Sequence, residues 1–201
     1  MQYLKDEVRN SIAEEALKEF KKLGYTAASI RSIAKNANTS VGNLYKYFSS
    51  KEDLYENLIG SVYNNLMNYI NQFDLVELDD KAESIFYELM EKVIEIFQEN
   101  STEIAILLNK SNGSKYEACK GIFVDFITRI VTETMEYKLS KQGKRLKDNF
   151  IIYLTSYNLV ESISIIVKER DNGLEVRRLI LIIIDIFYTD MENKLDSENI
   201  E

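Results

Sequence analysis

The stretch at residues 12–54 reads IAEEALKEFKKLGYTAASIRSIAKNANTSVGNLYKYFSSKEDL, and the spacing of its apolar residues decides the fold. Its first part continues a pattern in which an apolar residue recurs every three or four positions, at Val8, Ile12, Ala16, Phe20 and Leu23. This spacing is typical of an amphipathic helix. Gly24 follows the last of these residues and suits the left-handed position that ends a helix. We therefore expect a first helix over about residues 3–23.

Two short helices with a tight turn between them are predicted next. Ser29 can accept a backbone hydrogen bond at the start of a second helix, and Thr39 or Ser40 can do the same for a third. Between them, Asn38 is a residue that tolerates positive φ. A long helix followed by two short ones around a tight turn is the spacing of a helix-turn-helix.

The remaining sequence predicts longer helices. A fourth helix begins at Ser49 or Ser50 and runs to about residue 71, with one apolar face formed by Leu54, Leu58, Val62, Leu66 and Ile70. After an acidic segment at 76–80, a helix is expected through Ile85, Leu89, Val93 and Phe97. Ser101 can cap a short helix over 102–110, and further helices are expected over about 115–139, 147–169 and 174–194. The prediction is an all-α fold of about nine helices. A helix-turn-helix domain would occupy residues 1–48 and a larger helical domain residues 49–201.

Composition excludes several classes of protein. The 201 residues include seven glycines and no proline, which favours helices over a sandwich or barrel with many tight turns. Without histidine there is no Ser-His-Asp triad, no Cys-His pair and no His-ligated zinc. We expect neither catalysis nor a cofactor. A helical enzyme that uses Glu161 and Asp185 as paired carboxylates is the remaining catalytic alternative.

The expected location is the cytoplasm. Cys119 is the only cysteine and cannot form an internal disulfide, which is typical of cytosolic proteins. The first ten residues, MQYLKDEVRN, are too charged for a signal peptide. The longest apolar run, 179–184, is far shorter than the roughly 20 residues of a membrane span. We therefore expect no membrane partner.

Charge is distributed unevenly along the chain. The net charge of −8 argues against nucleic-acid binding, for which a basic domain is usual. Residues 18–51, however, contain seven basic side chains and a single acid, Glu19, whereas residues 61–201 are strongly acidic. A solvated surface would explain this asymmetry equally well, unless the basic stretch has a fold that presents it to a phosphate backbone.

The basic stretch closely resembles the DNA-binding domain of the TetR family of bacterial transcriptional regulators. The resemblance covers residues 12–54, with apolar, glycine, tyrosine and lysine positions in register, and its most distinctive part is Gly42-Asn43-Leu44-Tyr45, Tyr47-Phe48 and Ser50-Lys51-Glu52-Asp53-Leu54. Two positions depart from the family pattern. Asn38 stands where glycine is usual, and Thr39 replaces a small aliphatic residue.

A recognition helix enters the major groove with its first residues at the base edges, and here those residues are Thr39, Ser40, Val41, Gly42 and Asn43. Asn43 can read adenine, Val41 can touch a thymine methyl, and Gly42 permits close approach of the backbone. The resemblance implies phosphate contacts by Tyr45, Tyr47 and Lys51 and backbone or base contacts by Ser29 and Arg31. We include Lys46 in the same surface. The alternatives are ordinary packing for the tyrosines and a solvated Lys51.

The resemblance also implies that the larger domain binds a small apolar or amphipathic effector and forms a homodimer. Large side chains that could line the effector pocket are Tyr63, Met67, Phe86, Met90, Tyr116, Phe123, Phe126, Tyr153, Tyr157 and Glu161. Taken singly, each of these residue types is more often ordinary core than pocket lining. The last two helices would pair across the dimer through Leu159, Ile163, Ile166, Leu181, Ile184 and Tyr188.

The expected function is therefore a ligand-responsive repressor that binds double-stranded DNA at a palindromic operator as a homodimer. An adaptor or coactivator that keeps the same fold but acts through protein partners is the alternative. That protein should lack the basic and tyrosine contacts to phosphate, which are present here at Tyr45, Tyr47 and Lys51.

Overall fold

The computed structural model describes residues 2–73, 75–77, 79 and 82–191. Every regular element in this part of the chain is a helix, which confirms the predicted all-α fold. A π-helical turn at Glu56–Gly60 joins α4 to α5, and these three count as one of nine helices within the described ranges. The elements are α1 Gln2–Ala27, α2 Ile30–Asn36, α3 Val41–Leu44, α4 Lys51–Tyr55, α5 Ser61–Phe73, α6 Ala82–Glu99, α7 Ser101–Asn109, α8 Cys119–Lys141, α9 Phe150–Glu169 and α10 Gly173–Tyr188.

Serine side chains begin the three short helices of the amino-terminal region. The Oγ atoms of Ser29, Ser40 and Ser50 each accept a hydrogen bond from the backbone N–H three residues later, at 3.4, 3.1 and 3.0 Å respectively. These bonds satisfy donors that have no partner inside the helix. Gly24 adopts φ 80° and kinks α1 directly after the predicted end of the first helix.

Some predicted helix ends were wrong. Ser101 is the first residue of α7, and the preceding Asn100 makes no side-chain cap. The helix expected from residue 115 begins at Cys119, because residues 110–118 are held in a series of turns. The last predicted helix, α10, ends at Tyr188, before Thr189 and Asp190, and so is shorter than predicted; residue 194 itself lies outside the described residues.

The face of the fourth helix also differs from the prediction. Leu54 and Ile59 are fully buried, whereas Leu58, which the four-residue spacing places inside, is only partly buried. The π turn contains one more residue than an α turn, and it moves the buried face from position 58 to position 59. Spacing arguments assume a uniform helix and therefore fail at this turn.

One continuous apolar core joins the amino-terminal helices to the rest of the subunit. It extends from Ile12 on α1 through Tyr55 to Ile180 on α10. Tyr55 is central, since its ring makes edge contacts with Phe20 and Tyr25, both with centroids 4.8 Å apart. A smaller cluster of Met135, Leu139, Ile152 and Met191 closes the far end.

Among the described helices, α9 is long and apolar enough to cross a membrane, with a mean hydropathy of 1.6 over 18 residues. The run-length argument did not find it, because its apolar residues are interrupted by Thr155, Asn158 and Glu161. A single helix of this kind is weak evidence for a span, since core helices of helical bundles have the same composition. One side of α9 packs on α7, α8 and α10.

The tight turn between α2 and α3 generates a first prediction. Asn38 adopts φ 51°, and a left-handed conformation costs most non-glycine residues about 1–2 kcal/mol. Asn38→Ala should therefore lower the free energy of unfolding by about 1 kcal/mol, and Asn38→Gly should maintain or raise it. Urea unfolding measures both. Asn36→Ala, at the exposed end of α2, is the matched control; an equal loss in this control would contradict the explanation.

Candidate nucleic-acid interface

The helix-turn-helix is held by apolar contacts on its inner side. Ile33 and Ala34 of α2 and Leu44 of α3 are buried, and the Thr39 N–H donates to the Ala34 carbonyl at 2.9 Å. Asn38 supplies the positive φ that reverses the chain between the helices. The turn chemistry predicted from the sequence is therefore present, with asparagine in the position that the family usually fills with glycine.

The outer side of α3 and of the residues after it is open. Leu44 and Phe48 are buried, and between them Tyr45 is 48% exposed and Lys46 is exposed. A Cβ built on Gly42 meets no atom within 4 Å, so nothing within the subunit requires glycine at this position. Tyr47 differs from Tyr45, because it is partly buried and packs on the core.

Asn43 and Thr39 form a pair at the start of α3. The Asn43 side-chain amide donates to the Thr39 Oγ1 at 2.8 Å, and Asn43 is partly buried. This bond fixes the direction of the amide, which has a second N–H and can still present a donor and an acceptor to a base. Val41 is also partly buried and packs on the core, so it presents only part of its side chain outward.

A buried carboxylate supports the amino terminus of α2, and sequence reasoning did not find it. Glu19 is 8% exposed and accepts hydrogen bonds from the Ser29 N–H and the Ser32 hydroxyl, both at 3.2 Å. A negative charge is favourable at a helix amino terminus. The signal was its position as the single acid within an otherwise basic stretch. Arg31, in the first turn of α2, is exposed.

Lys51 has an internal role that the sequence did not predict. Its ammonium donates to the backbone carbonyls of Tyr25, Thr26 and Ala28 at 2.8, 3.2 and 3.4 Å, and it lies 4.7 Å from the centre of the Tyr25 ring. An ammonium group has three donors, and all three are engaged. Lys51 therefore fixes the segment between α1 and α2. Spacing along the sequence could not reveal this, because the carbonyls lie more than 20 residues away.

A loop between α7 and α8, residues 110–118, contacts the helix-turn-helix region directly. The Lys110 carbonyl accepts from the Tyr25 N–H at 2.9 Å, and the Asn112 carbonyl accepts from the Thr26 hydroxyl at 2.7 Å. The Tyr55 and Ser111 hydroxyls lie 2.8 Å apart. Sequence analysis identified this loop only as a turn. The structure makes it one of the polar contacts between the two predicted domains, together with Lys51.

The predicted pocket residues are only partly brought together. Tyr116 and Phe123 are buried, and Tyr63, Met67, Met90 and Phe126 pack on the same core. Phe86 stacks on Phe73 at 5.6 Å. Tyr153 and Tyr157 lie on the outer side of α9, 40% and 46% exposed, because α9 turns its opposite side to the core. The Glu161 carboxylate pairs with the Lys120 ammonium at 2.9 Å.

Two clefts in the described part of the chain lie away from these residues. One, of about 280 Å³, is lined by Asp125, Thr128, Arg129, Thr132, Glu133 and Asn149. Another, of about 430 Å³, is lined by Gln72, Leu75, Val76, Glu77, Asp79, Ile85 and Leu89. Both are open at the surface, and neither includes a residue predicted to line the effector pocket. Cys119 is buried, as its interpretation as a small core residue predicts.

The residues predicted for the dimer contact divide into two groups. Leu159 and Ile163 are buried inside the subunit and cannot meet a second copy without unpacking, so the structure corrects their assignment. Ile166, Leu181, Ile184 and Tyr188 are partly buried and pack on the core, and the Tyr188 hydroxyl lies 3.0 Å from the Ser156 hydroxyl. The exposed aliphatic residues of α9 and α10 are different ones: Ile151, Leu154, Ile165, Leu174, Ile182 and Ile186.

Similarity to known proteins agrees with this geometry. Residues 12–58 match the sequence model of the bacterial regulatory proteins of the tetR family. Over 103 residues the chain is 26% identical to the protein named "Probable HTH-type transcriptional regulator YttP" of Bacillus subtilis (strain 168), a match that covers 50% of this chain and 48% of that protein. The matched region therefore spans about half the length of this relative.

Solved structures of similar proteins extend the likeness in fold to most of the chain. A TetR-family transcriptional regulator from Bordetella parapertussis 12822 superposes with a TM-score of 0.64 at 17% identity, covering 94% of this chain and 98% of that one. NalD of Pseudomonas aeruginosa, the secondary repressor of the MexAB-OprM multidrug efflux pump, superposes with a TM-score of 0.51 at 14% identity, covering 92% and 98% respectively. Residues 12–58, which contain the helix-turn-helix, thus match the tetR family of bacterial regulatory proteins, as the sequence predicts.

Proposed function

We propose that the protein is a cytoplasmic transcriptional regulator that binds a palindromic DNA operator as a homodimer and releases it when a small effector binds. The observation that carries this proposal is the outer surface of α3. Buried Leu44 and Phe48 anchor the segment, while Gly42, Tyr45 and Lys46 remain exposed. A rigid short helix with an open backbone position and adjacent hydrogen-bond donors is suited to a major groove.

Several basic side chains of the amino-terminal region, which contains α3, are exposed and could contact phosphates. Lys18 and Lys21 are paired with Glu15 and Asp171, and Lys51 is bound to carbonyls. Lys22, Arg31, Lys35 and Lys46 are exposed. Phosphate contacts from such side chains supply most of the non-specific affinity for DNA. Ser29, which caps α2, and Thr39 and Ser40, which begin α3, complete the proposed DNA-contacting set, with Tyr47 at its edge.

A homodimer is proposed because α9 and α10 present apolar side chains to the outside. Along α10, Leu174, Ile182 and Ile186 are spaced by eight and four residues, which places them on one side of the helix. On α9, Leu154 and Ile165 are exposed opposite the buried face. Large exposed apolar patches mark interaction sites, and a two-fold dimer presents two recognition helices about 34–36 Å apart.

The effector would enter the core next to the loop at residues 110–118. Tyr63 and Tyr116 lie there with ring centroids 4.7 Å apart, and an apolar or amphipathic molecule would have to separate such pairs to bind. Coupling between two sites is reciprocal, so a true effector must bind DNA-free protein more tightly than DNA-bound protein. A compound that raises the melting temperature and lowers operator affinity over one concentration range would satisfy this requirement.

Repression is proposed in preference to activation because NalD, a protein of similar fold, is a repressor. The experiment that tests the function is selection of bound sequences from a random pool of duplex DNA. An inverted repeat with half-sites about one helical turn apart supports the proposal. Failure to enrich any sequence would favour the adaptor alternative, in which the fold acts through protein partners.

Lysine variants distinguish phosphate contacts from structural ones. Lys46→Ala should reduce the slope of log affinity against log salt by about 1, because one phosphate contact is lost. Lys51→Met should leave this slope unchanged and lower the free energy of unfolding by about 1–3 kcal/mol, because three carbonyls lose their donor. Fluorescence anisotropy on the selected duplex and urea unfolding measure the two effects.

Lys144→Ala is the matched control for charge, since Lys144 is exposed in the connector before α9. It should change neither quantity. If Lys51→Met reduces the salt slope as much as Lys46→Ala does, Lys51 contacts phosphate and its internal role is not its main one.

Substitution of the exposed face of α10 tests the dimer. Ile182→Glu introduces an unpaired charge twice in a two-fold contact, and like charges brought together cost several kcal/mol. The dissociation constant of the dimer should rise at least about 100-fold. Sedimentation equilibrium measures it. Ile85→Glu, which changes an isoleucine of similar exposure on α6, should leave the constant unchanged; the reverse pattern would place the contact on α6.

A further inference from the structure

The π turn at Glu56–Gly60 lies where the helix-turn-helix region passes into the larger domain. It interrupts an otherwise continuous helix between α4 and α5. π turns inside α-helices are rare, are frequent at functional sites and are a recognised cause of helix bending. The turn is therefore the position in this helix at which the two regions can change their relative angle.

Side chains from the loop at residues 110–118 hold this turn. The Tyr116 hydroxyl donates to the Glu56 Oε2 at 2.5 Å, and the Lys115 ammonium lies 2.6 Å from the same oxygen. Gly60 makes room for them, because a Cβ on Gly60 would lie 2.5 Å from the Tyr116 Oη and 2.7 Å from the Glu56 carboxyl. We name Glu56, Gly60, Lys115 and Tyr116 the latch.

The charge state of the latch follows from its surroundings. Burial opposes ionisation of the Glu56 carboxyl, but hydrogen bonds from Lys115 and Tyr116 and the charge of Lys115 outweigh it and lower the pKa. Burial and the Glu56 carboxylate both raise the pKa of Tyr116, so its hydroxyl remains a donor. The pair is thus a carboxylate and a neutral phenol, which gives a charge-assisted hydrogen bond.

The sequence on either side of the turn allows more than one helical register. Leu58 and Ile59 are adjacent and apolar, and the π turn buries Ile59 while leaving Leu58 partly exposed. A regular α turn would bury Leu58 instead.

We propose that the π turn at Glu56–Gly60 is the hinge on which the DNA-binding region pivots, and that Tyr116 and Lys115 of the larger domain hold its angle through Glu56. The proposal rests on the proposed function, since an effector near Tyr63 would displace its neighbour Tyr116 and release the latch. The loop that carries Tyr116 also binds the Tyr25 and Thr26 segment, so the same movement would act on both sides of the hinge.

Distances between spin labels in the DNA-free protein test the hinge directly. Labels are attached to cysteines introduced at Lys22 and Asn65, which are exposed on α1 and α5. Cys119 does not compete for the label, because it is 1% exposed and burial raises the pKa of its thiol to about 12. An excess of unlabelled subunits ensures that only distances within one subunit are measured.

Tyr116→Phe removes the hydroxyl, and Gly60→Ala pushes Tyr116 and Glu56 apart. Both should broaden the distance distribution or shift its mean by several Å. Gly121→Ala is the matched control, because Gly121 is a helical glycine whose added Cβ meets nothing within 4 Å. Deletion of Leu58 converts the turn to a regular α-helix without changing the flanking faces. In this background Tyr116→Phe should have no effect on the distances.

An unchanged distribution in both Tyr116→Phe and Gly60→Ala would overturn the proposal, as would an equal effect of Tyr116→Phe with and without Leu58. If the deletion protein does not fold, the comparison of Tyr116→Phe and Gly60→Ala with Gly121→Ala decides. This readout needs no DNA. Failure to select an operator would contradict the proposed function but would not affect the conclusion about the hinge. Unchanged spin-label distances would contradict the hinge but would not affect the proposed function.

Discussion

The side chain of Tyr55 is the contact on which the arrangement of the subunit depends. It is 2% exposed and lies between Phe20 and Tyr25 of α1, while its hydroxyl meets Ser111 of the loop at residues 110–118. Burial raises the pKa of this hydroxyl to about 12, against the opposing effect of its hydrogen bonds to Ser111 and Ser114. One aromatic residue thus joins a DNA-binding module to a larger helical domain, and it does so without an unpaired polar group.

The contacts of Tyr55 link the amino-terminal helices to the loop at residues 110–118. Tyr55 belongs to α4 and packs on α1, and its hydroxyl meets Ser111, so the loop at residues 110–118 is in direct contact with the amino-terminal helices. The π turn begins at the next residue, and the loop at residues 110–118 contacts both sides of it. Movement within the larger domain therefore has a short mechanical path to α3, by way of a hinge and two polar contacts.

The sequence predicted those features that depend on neighbouring residues. Serine caps at Ser29, Ser40 and Ser50, the turn at Asn38 and the all-α fold follow from local propensity and from apolar spacing. The resemblance to a family of DNA-binding proteins was also visible in the sequence, because apolar, glycine, tyrosine and lysine residues at positions 12–54 match the family pattern. The acidic net charge of the whole chain argues against DNA binding, whereas the basic charge of residues 18–51 favours it.

Other features depend on contacts between distant residues and could not be read from spacing. Lys51 looked like a phosphate ligand because its carbonyl partners are remote in sequence. Leu159 and Ile163 looked like dimer contacts because helical spacing does not distinguish a core face from an interface face. Ile59, and not Leu58, is buried in the core because the π turn contains one extra residue. The pattern of apolar residues in the sequence does not predict such a turn.

Hydroxyl-radical footprinting of the protein on its selected operator tests the central claim most directly. The account predicts two protected segments on one face of the duplex, with centres about 10–10.5 base pairs or a multiple apart, as two α3 helices in major grooves require. A single protected segment or uniform weak protection along the duplex would contradict the assignment of α3 as a recognition helix.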